Sequence, residues 1–209
     1  MRLTVAEAAA LGVQIGAHPS YPDREGFGRR PMAMTPAEIT DAVAHQVHAL
    51  CAVAVAERTS VRHVKPHGAL YNLACRDRQV ADAITAGIVL VDARLALYAP
   101  SGSALAEAGR AARLHVVAEG FLDRAYEDDG LLTPREVPGA VLDDAAAACE
   151  RAIAWVRTGQ VRTRTGGTLA LALDTLCVHG DTPDAVAIAA RVRAALVAAG
   201  IRLVPSLQP

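Results

Sequence analysis

Val61-Arg62-His63-Val64-Lys65-Pro66-His67-Gly68-Ala69-Leu70-Tyr71-Asn72 begins as a short apolar run and closes on a lysine between histidines, followed by a Pro-His-Gly turn. The run reads as a buried strand with its polar groups at the C-terminal end. The pattern recurs. Apolar runs suited to strands lie at 12–18, 61–65, 95–99, 114–119, 169–179 and 202–205, and polar residues gather at their ends: His18, then Lys65 and His67, then Glu119, then His179 and Asp181.

Alanine-rich helical stretches fill the intervals. Thr35-Pro36-Ala37-Glu38 starts one of them, with threonine at the N-cap, proline at N1 and glutamate at N3, and its pattern runs to about Arg58. Stretches 77–91, 101–112, 142–157 and 182–199 read alike, the last opened by Thr182-Pro183 and closed by Gly200. Strands joined by helical crossovers run parallel beneath helices, so the class is α/β, either an open sheet or a barrel. A barrel gathers strand ends from around the sheet onto one rim, whereas an open sheet forms a crevice only at its switch point. Polar ends on at least four strands favour a (β/α) barrel-like fold, with residues 1–209 as one domain.

With 209 residues, 52% of them hydrophobic and only 3% aromatic, the chain can bury an aliphatic core. The net charge is -1 and the arginines are scattered, which leaves no electrostatic footprint for nucleic acid or an anionic membrane. No apolar run reads as long enough to span a bilayer, and the first twenty residues lack a secretory signal, so a cytoplasmic location is expected. Cys51, Cys75, Cys149 and Cys177 form no Cys-x-x-Cys pair and read as free thiols.

Lys65 is the chain's one lysine against twenty arginines. An ammonium can lose its proton or act as a compact point charge, which a guanidinium does poorly. Because Pro66 follows it, the lysine cannot belong to a Walker A loop, and no strand leads into Gly-x-Gly-x-x-Gly. If ATP enters the chemistry, another chain binds it.

Other strand ends carry their own candidates. His18 opens a proline-pinned loop with Tyr21 and Asp23 and reads as a base, a metal ligand or a structural histidine. Arg29 and Arg30 read as a solvated or salt-bridged pair. Glu119 is either a general acid or base in a water-poor pocket or the ion-pair partner of Arg124. Asp128-Asp129-Gly130 reads as a turn, and Arg135 as a group able to grip a carboxylate. Asp181 reads as a site carboxylate or a helix-end acid, and His179 precedes a glycine that permits close approach. His18, His67, His179, Glu119 and Asp181 would suffice for a divalent metal, yet they lack the short spacings of a ligand site. His45 and His48 share a helix face, while His115 and Trp155 read as structural.

Gly16-Ala17-His18-Pro19-Ser20-Tyr21-Pro22-Asp23, Gly26-Phe27-Gly28-Arg29-Arg30, the lysine motif 63–72, Asp123-Arg124-Ala125-Tyr126 and Cys177-Val178-His179-Gly180-Asp181-Thr182-Pro183 together resemble the LamB/YcsF family. The resemblance runs through nearly the whole chain in order. It implies a seven-stranded (β/α) barrel of the type seen in glycoside hydrolases and polysaccharide deacetylases. It also implies the A component of an ATP-dependent 5-oxoprolinase, which opens 5-oxo-L-proline to L-glutamate with ATP-using B and C subunits.

On that reading the catalytic candidates are Lys65, His67, Glu119, His179 and Asp181. The substrate-binding candidates are His18, Tyr21, Asn72, Arg124, Tyr126 and Arg135. Two alternatives stay open: a metal-dependent deacetylase of an amide or carbohydrate, and a non-catalytic binding subunit. The chain departs from the family at its start, where members carry Asn-Cys-Asp-Leu-Gly-Glu and Cys-Gly-Phe-His-Ala-Gly-Asp on two strands. The resemblance therefore implies a chain lacking its first two strands, because its start is placed too far downstream, because it is cut, or because it is a degenerate member; the first is the expectation, and an in-frame upstream segment encoding Asn-Cys-Asp-Leu-Gly-Glu would establish it. Residues 1–209 alone are expected to be poorly soluble and inactive.

Overall fold

The computed structural model describes residues 1–205 and 207, which divide into two compact units, Met1–Val116 and a second from Val117 onward. In the first unit, helix α1 (Arg2–Ala10) leads to strand β1 (Ile15–Ala17), helix α2 (Pro36–Ala56) and strand β2 (Val61–Val64). Helices α3 (Gly68–Ala74) and α4 (Arg78–Asp92), strand β3 (Ala96–Ala99) and helix α5 (Ala104–Ala111) follow. β1 pairs with β2, and β2 with β3, both in parallel. Parallel neighbours need long crossovers, and the helices between the strands supply them.

α2 starts where its sequence signals place it. The Thr35 Oγ1 accepts from the Glu38 amide at 3.3 Å, and the Glu38 carboxylate accepts from the Thr35 amide at 2.7 Å. This reciprocal bonding satisfies two otherwise orphaned donors. Ile39, Val43, Val47 and Ala54 form its buried stripe. Each larger aliphatic on it contributes roughly 1.5–3 kcal/mol by leaving water. The helix packs along α4, where the Thr40 hydroxyl donates to the Ala83 carbonyl at 2.9 Å. A Cβ at Gly87 would lie 2.7 Å from the Thr40 carbonyl, so the close approach of the two helices requires glycine there.

By length and composition, the 21-residue α2 does match a bilayer-spanning helix, against the sequence expectation. Its alanines raise the mean hydropathy although polar residues interrupt any continuous apolar run.

The second unit holds strand β4 (Val116–Phe121, its first residue at the boundary), helix α6 (Ala145–Thr158), strands β5 (Gln160–Arg162), β6 (Thr168–Ala170) and β7 (Thr175–Cys177), and helix α7 (Ala185–Ala198). β4 and β7 are parallel, with Glu119 opposite Thr175 and Phe121 opposite Cys177. α6 and α7 pack over a cluster of Leu122, Ala148, Ala152, Ile188, Val192 and Leu196. The fold is α/β, as the alternating pattern predicts.

Three expectations change. The run 169–179 is not one strand: β6 turns back on β5 as an antiparallel hairpin, and β7 is separate. Asp174 makes the break, since its carboxylate accepts from the Ala118 amide at 2.8 Å while its own amide donates to the Ala118 carbonyl. Residues 202–205 form no strand. α7 begins at Ala185, because the Thr182 hydroxyl is engaged by Asp123 and does not cap the helix. The four cysteines are free thiols.

Candidate active site

In the first unit, the β1 and β2 ladder continues beyond both strands. The Lys65 amide donates to the Ala17 carbonyl (2.9 Å), the His67 amide to Pro19 (2.9 Å) and the Ala69 amide to Gly28 (3.0 Å). These bonds lay the loop after β1 along the segment that carries Lys65. Gly68 makes the last contact possible. Its φ is +60°, and a Cβ there would collide with the Gly28 carbonyl.

The side chains reinforce the backbone. His18 Nδ1 lies 2.5 Å from the Lys65 carbonyl, His18 Nε2 lies 2.9 Å from His67 Nδ1, and His67 Nε2 lies 2.8 Å from the Phe27 carbonyl. Gln46 of α2 grips Ser20 from both sides, accepting from its amide at 3.1 Å and donating to its carbonyl at 2.9 Å. Asp23 receives the Gly26 amide and pairs with Arg30, whose hydrogen bond holds its carboxyl down to about 2. Arg29 sits 5.2 Å over the Phe27 ring.

His63 stacks on Tyr98 with centroids 4.1 Å apart and planes at 13°. Burial, then the Lys65 ammonium, pushes its pKa down to about 4, so this imidazole is neutral at pH 7. Its buried Nδ1 has no hydrogen-bond partner.

In the second unit, Asp123 and His179 form a bonded pair. The Asp123 carboxylate, 1% exposed, accepts the His179 ring Nδ1–H at 2.9 Å, the His179 amide at 2.8 Å and the Thr182 hydroxyl at 2.7 Å. Burial alone would raise its pKa, but the hydrogen bonds of His179, its positive charge when the ring is protonated at low pH, and the Thr182 hydroxyl outweigh burial and hold it at about 2. A carboxylate on Nδ1 fixes the tautomer and leaves Nε2 as the acceptor of a neutral imidazole. The ring stacks on Phe121 at 5.5 Å. Such a histidine can take a proton from water.

The other candidates are spread through both units. Tyr21 is buried, which raises its pKa, with Asp77 adding to the effect. Asn72 is half-buried on α3. Glu119 lies inside β4 at 4% exposure, two residues short of the strand end, within electrostatic reach of Tyr126.

Tyr126 is buried against Trp155, its hydroxyl accepts from the Phe121 amide at 3.0 Å, and burial raises its pKa. Arg124, 3% exposed, donates to the Thr133 carbonyl at 2.6 Å and to the Ala140 carbonyl at 3.4 Å, which anchors the following loop. Arg135 sits half-buried within that loop, and Asp181 is exposed three residues before the α7 N-cap at Asp184. His45 and His48 are exposed on α2.

Among the described residues, no three His, Cys, Asp or Glu side chains gather closely enough to hold a metal ion. Asp123 is the residue that sequence reasoning left without a role. Its signal was position, since it follows an apolar strand by two residues as His179 does, but register is not visible in one sequence.

The comparisons agree with this arrangement of motifs. Residues 1–209 match the LamB/YcsF family. The chain is 50% identical over 201 residues to the A component of 5-oxoprolinase from Methylococcus capsulatus, covering 96% of this chain and 77% of that protein. It is 52% identical over 206 residues to the A component of 5-oxoprolinase from Rhodopseudomonas palustris, covering 98% and 81%. The crystal structure of the lactam utilization protein from Thermus thermophilus superposes with a TM-score of 0.88 at 43% identity, covering 97% of this chain and 83% of that one. The chain belongs to the LamB/YcsF family.

Proposed function

We propose that this chain is the A component of an ATP-dependent 5-oxoprolinase, a cytoplasmic hydrolase that opens 5-oxo-L-proline to L-glutamate with ATP-using B and C subunits. The family and the names of its relatives support the substrate class. Among the structural observations, the Asp123–His179 pair carries the reading, because an oriented neutral imidazole is what hydrolysis of an unreactive amide requires. His179 Nε2 takes a proton from water as the water oxygen bonds the lactam carbonyl carbon, and the C–N bond then breaks with a proton going to nitrogen. Lys65 supplies positive charge for the oxyanion or for the substrate carboxylate.

A five-membered lactam gains from activation at its oxygen, which ATP held by the partner subunits would provide. Lys65 has a proline after it, so the nucleotide site is assigned to those subunits. On this reading the parallel strands belong to the seven-stranded (β/α) barrel of the family, with Glu119, His67 and Asp181 as further proton-handling candidates. The test is reconstitution with B and C subunits. Lys65→Met should abolish ATP-coupled glutamate formation, and turnover equal to the unsubstituted enzyme would sink the assignment.

A further inference from the structure

We propose that Phe27, framed on the loop after β1 by Arg24 and Arg29, is the docking point for the ATP-using partner subunits, which meet it with an apolar pocket rimmed by carboxylates. The partner is the one assigned under the lactam reading, so the inference rests on that reading and adds the surface.

The chain has few aromatic side chains: two phenylalanines, four tyrosines and one tryptophan. Tyr21, Tyr71, Tyr98, Phe121, Tyr126 and Trp155 are all buried, whereas Phe27 is 64% exposed. The backbone at that position gives no reason for a phenylalanine. Its φ is +54°, a left-handed conformation that is costly for a bulky side chain and free for glycine. The conformation does serve the loop, because the Phe27 carbonyl lies 2.8 Å from His67 Nε2. A glycine would supply that carbonyl without strain. Strain kept for a ring that leaves most of its surface in water points to a contact made outside this chain.

The ring is also held in place. Arg29 lies 5.2 Å over its face, and the His67 ring meets it edge-on at 5.1 Å and 83°. Beneath it, the Gly28 amide donates to the Asp23 carbonyl at 2.8 Å and the Arg29 amide to the Gly26 carbonyl at 3.0 Å. An aromatic ordered beforehand loses little freedom on binding, which is the property of an interface anchor. Met32, 38% exposed on the same loop, adds apolar surface.

Charge and position select the partner. Between Pro22 and Pro31 the loop carries Arg24, Arg29 and Arg30 against Asp23 and Glu25. Arg30 pairs with Asp23 and lies 3.8 Å from Glu25, so the loop is left net positive and carboxylates are its complement. The same loop is bonded to the segment after Lys65, through the Ala69 amide on Gly28. A subunit seated on Phe27 therefore sits beside the Lys65 segment, where an activated lactam has to be kept from bulk water.

The test titrates the whole chain and its variants into the B and C subunits without substrate, reading the dissociation constant by sedimentation. Phe27→Gly keeps the carbonyl and relaxes the backbone, so its urea midpoint alone should equal or exceed that of the unsubstituted chain. Its dissociation constant should rise about tenfold or more. Arg24→Glu should weaken the complex too, most at low salt. A dissociation constant within about twofold of the unsubstituted value for Phe27→Gly would overturn the proposal. So would a urea midpoint that falls together with affinity, since the ring would then support the chain itself. A raised KM for 5-oxo-L-proline at unchanged complex affinity would place the ring in the substrate site, and loss of self-association alone would make it a contact between copies; either overturns the proposal. Absence of any complex with the unsubstituted chain does the same. If Phe27→Gly fails to fold, Phe27→Asn, which also tolerates positive φ, and Arg24→Glu decide. The dissociation constant is read apart from glutamate formation, so failure of this surface leaves the Lys65→Met assay to judge the lactam reading by itself.

Discussion

Asp123 and His179 each stand two residues beyond a partnered pair in a parallel ladder, Phe121 on β4 and Cys177 on β7. Equal overhang brings the carboxylate and the imidazole level, and the Leu122 amide extends the ladder by one more bond to the Cys177 carbonyl at 3.1 Å. Strand register, set by the apolar residues beneath, thus builds the pair. Its hydrogen bonds then choose the tautomer.

Asp123→Asn should therefore damage chemistry more than binding. An amide can offer N–H where the carboxylate only accepts, so the His179 ring loses its fixed tautomer while the volume is unchanged. In the reconstituted enzyme, kcat should fall about 10²–10⁴-fold with KM nearly unaltered, by analogy with other oriented histidine bases. Steady-state glutamate formation checks this, and a kcat close to that of the unsubstituted enzyme would remove His179 from the mechanism.

The same carboxylate contributes to acid stability. Its folded pKa of about 2 lies below the ordinary aspartate value, so the unfolded chain binds more protons in the interval between them. Stability is present in full above about pH 4 and is lost as pH falls toward about 2, a contribution of about 2 kcal/mol. Urea midpoints across that interval should fall more steeply for the unsubstituted chain than for Asp123→Asn.

Gly68→Ala tests the loop contact in the first unit. The substitution meets two obstacles, a positive φ that alanine adopts at a cost and a Cβ driven against the Gly28 carbonyl. A loss of about 1–3 kcal/mol in chemical denaturation is expected. Faster exchange at the Ala69 amide should accompany it, since that amide bonds Gly28. Unchanged exchange there would mean that the loop does not depend on this contact.

Much of this architecture was legible in the sequence because it rests on local rules. The Thr35-Pro36-Ala37-Glu38 start of α2 is a reciprocal bond between residues three apart, and it forms as written. The position of Lys65 just past β2 followed from an apolar run that stops. Non-local features stayed hidden. The break at Asp174 depends on Ala118, 56 residues away, and Thr182 abandons its capping role for Asp123, 59 residues away. Periodicity carries no information about such partners. The role of Asp123 was hidden for the same reason, because only the register of β4 on β7 brings it to His179.

His63 offers a prediction of opposite chemistry at the same pH extreme. Its imidazole is kept neutral by burial and by Lys65, with a folded pKa of about 4 against about 6.5 when unfolded. The unfolded chain again binds more protons in that window, so stability rises with pH there and is lost as pH falls from about 6.5 to about 4. The contribution is on the order of 3 kcal/mol. His63→Phe keeps a flat ring against Tyr98 and removes both the titration and the buried Nδ1 that lacks a partner. Removing such an atom recovers a desolvation cost of about 1–3 kcal/mol. The difference between denaturation midpoints of the two chains should therefore be smallest above about pH 7 and should widen in favour of His63→Phe as pH falls to about 4. Parallel curves across that interval would show that His63 titrates alike in the folded and unfolded chain, and that burial and Lys65 do not hold it neutral.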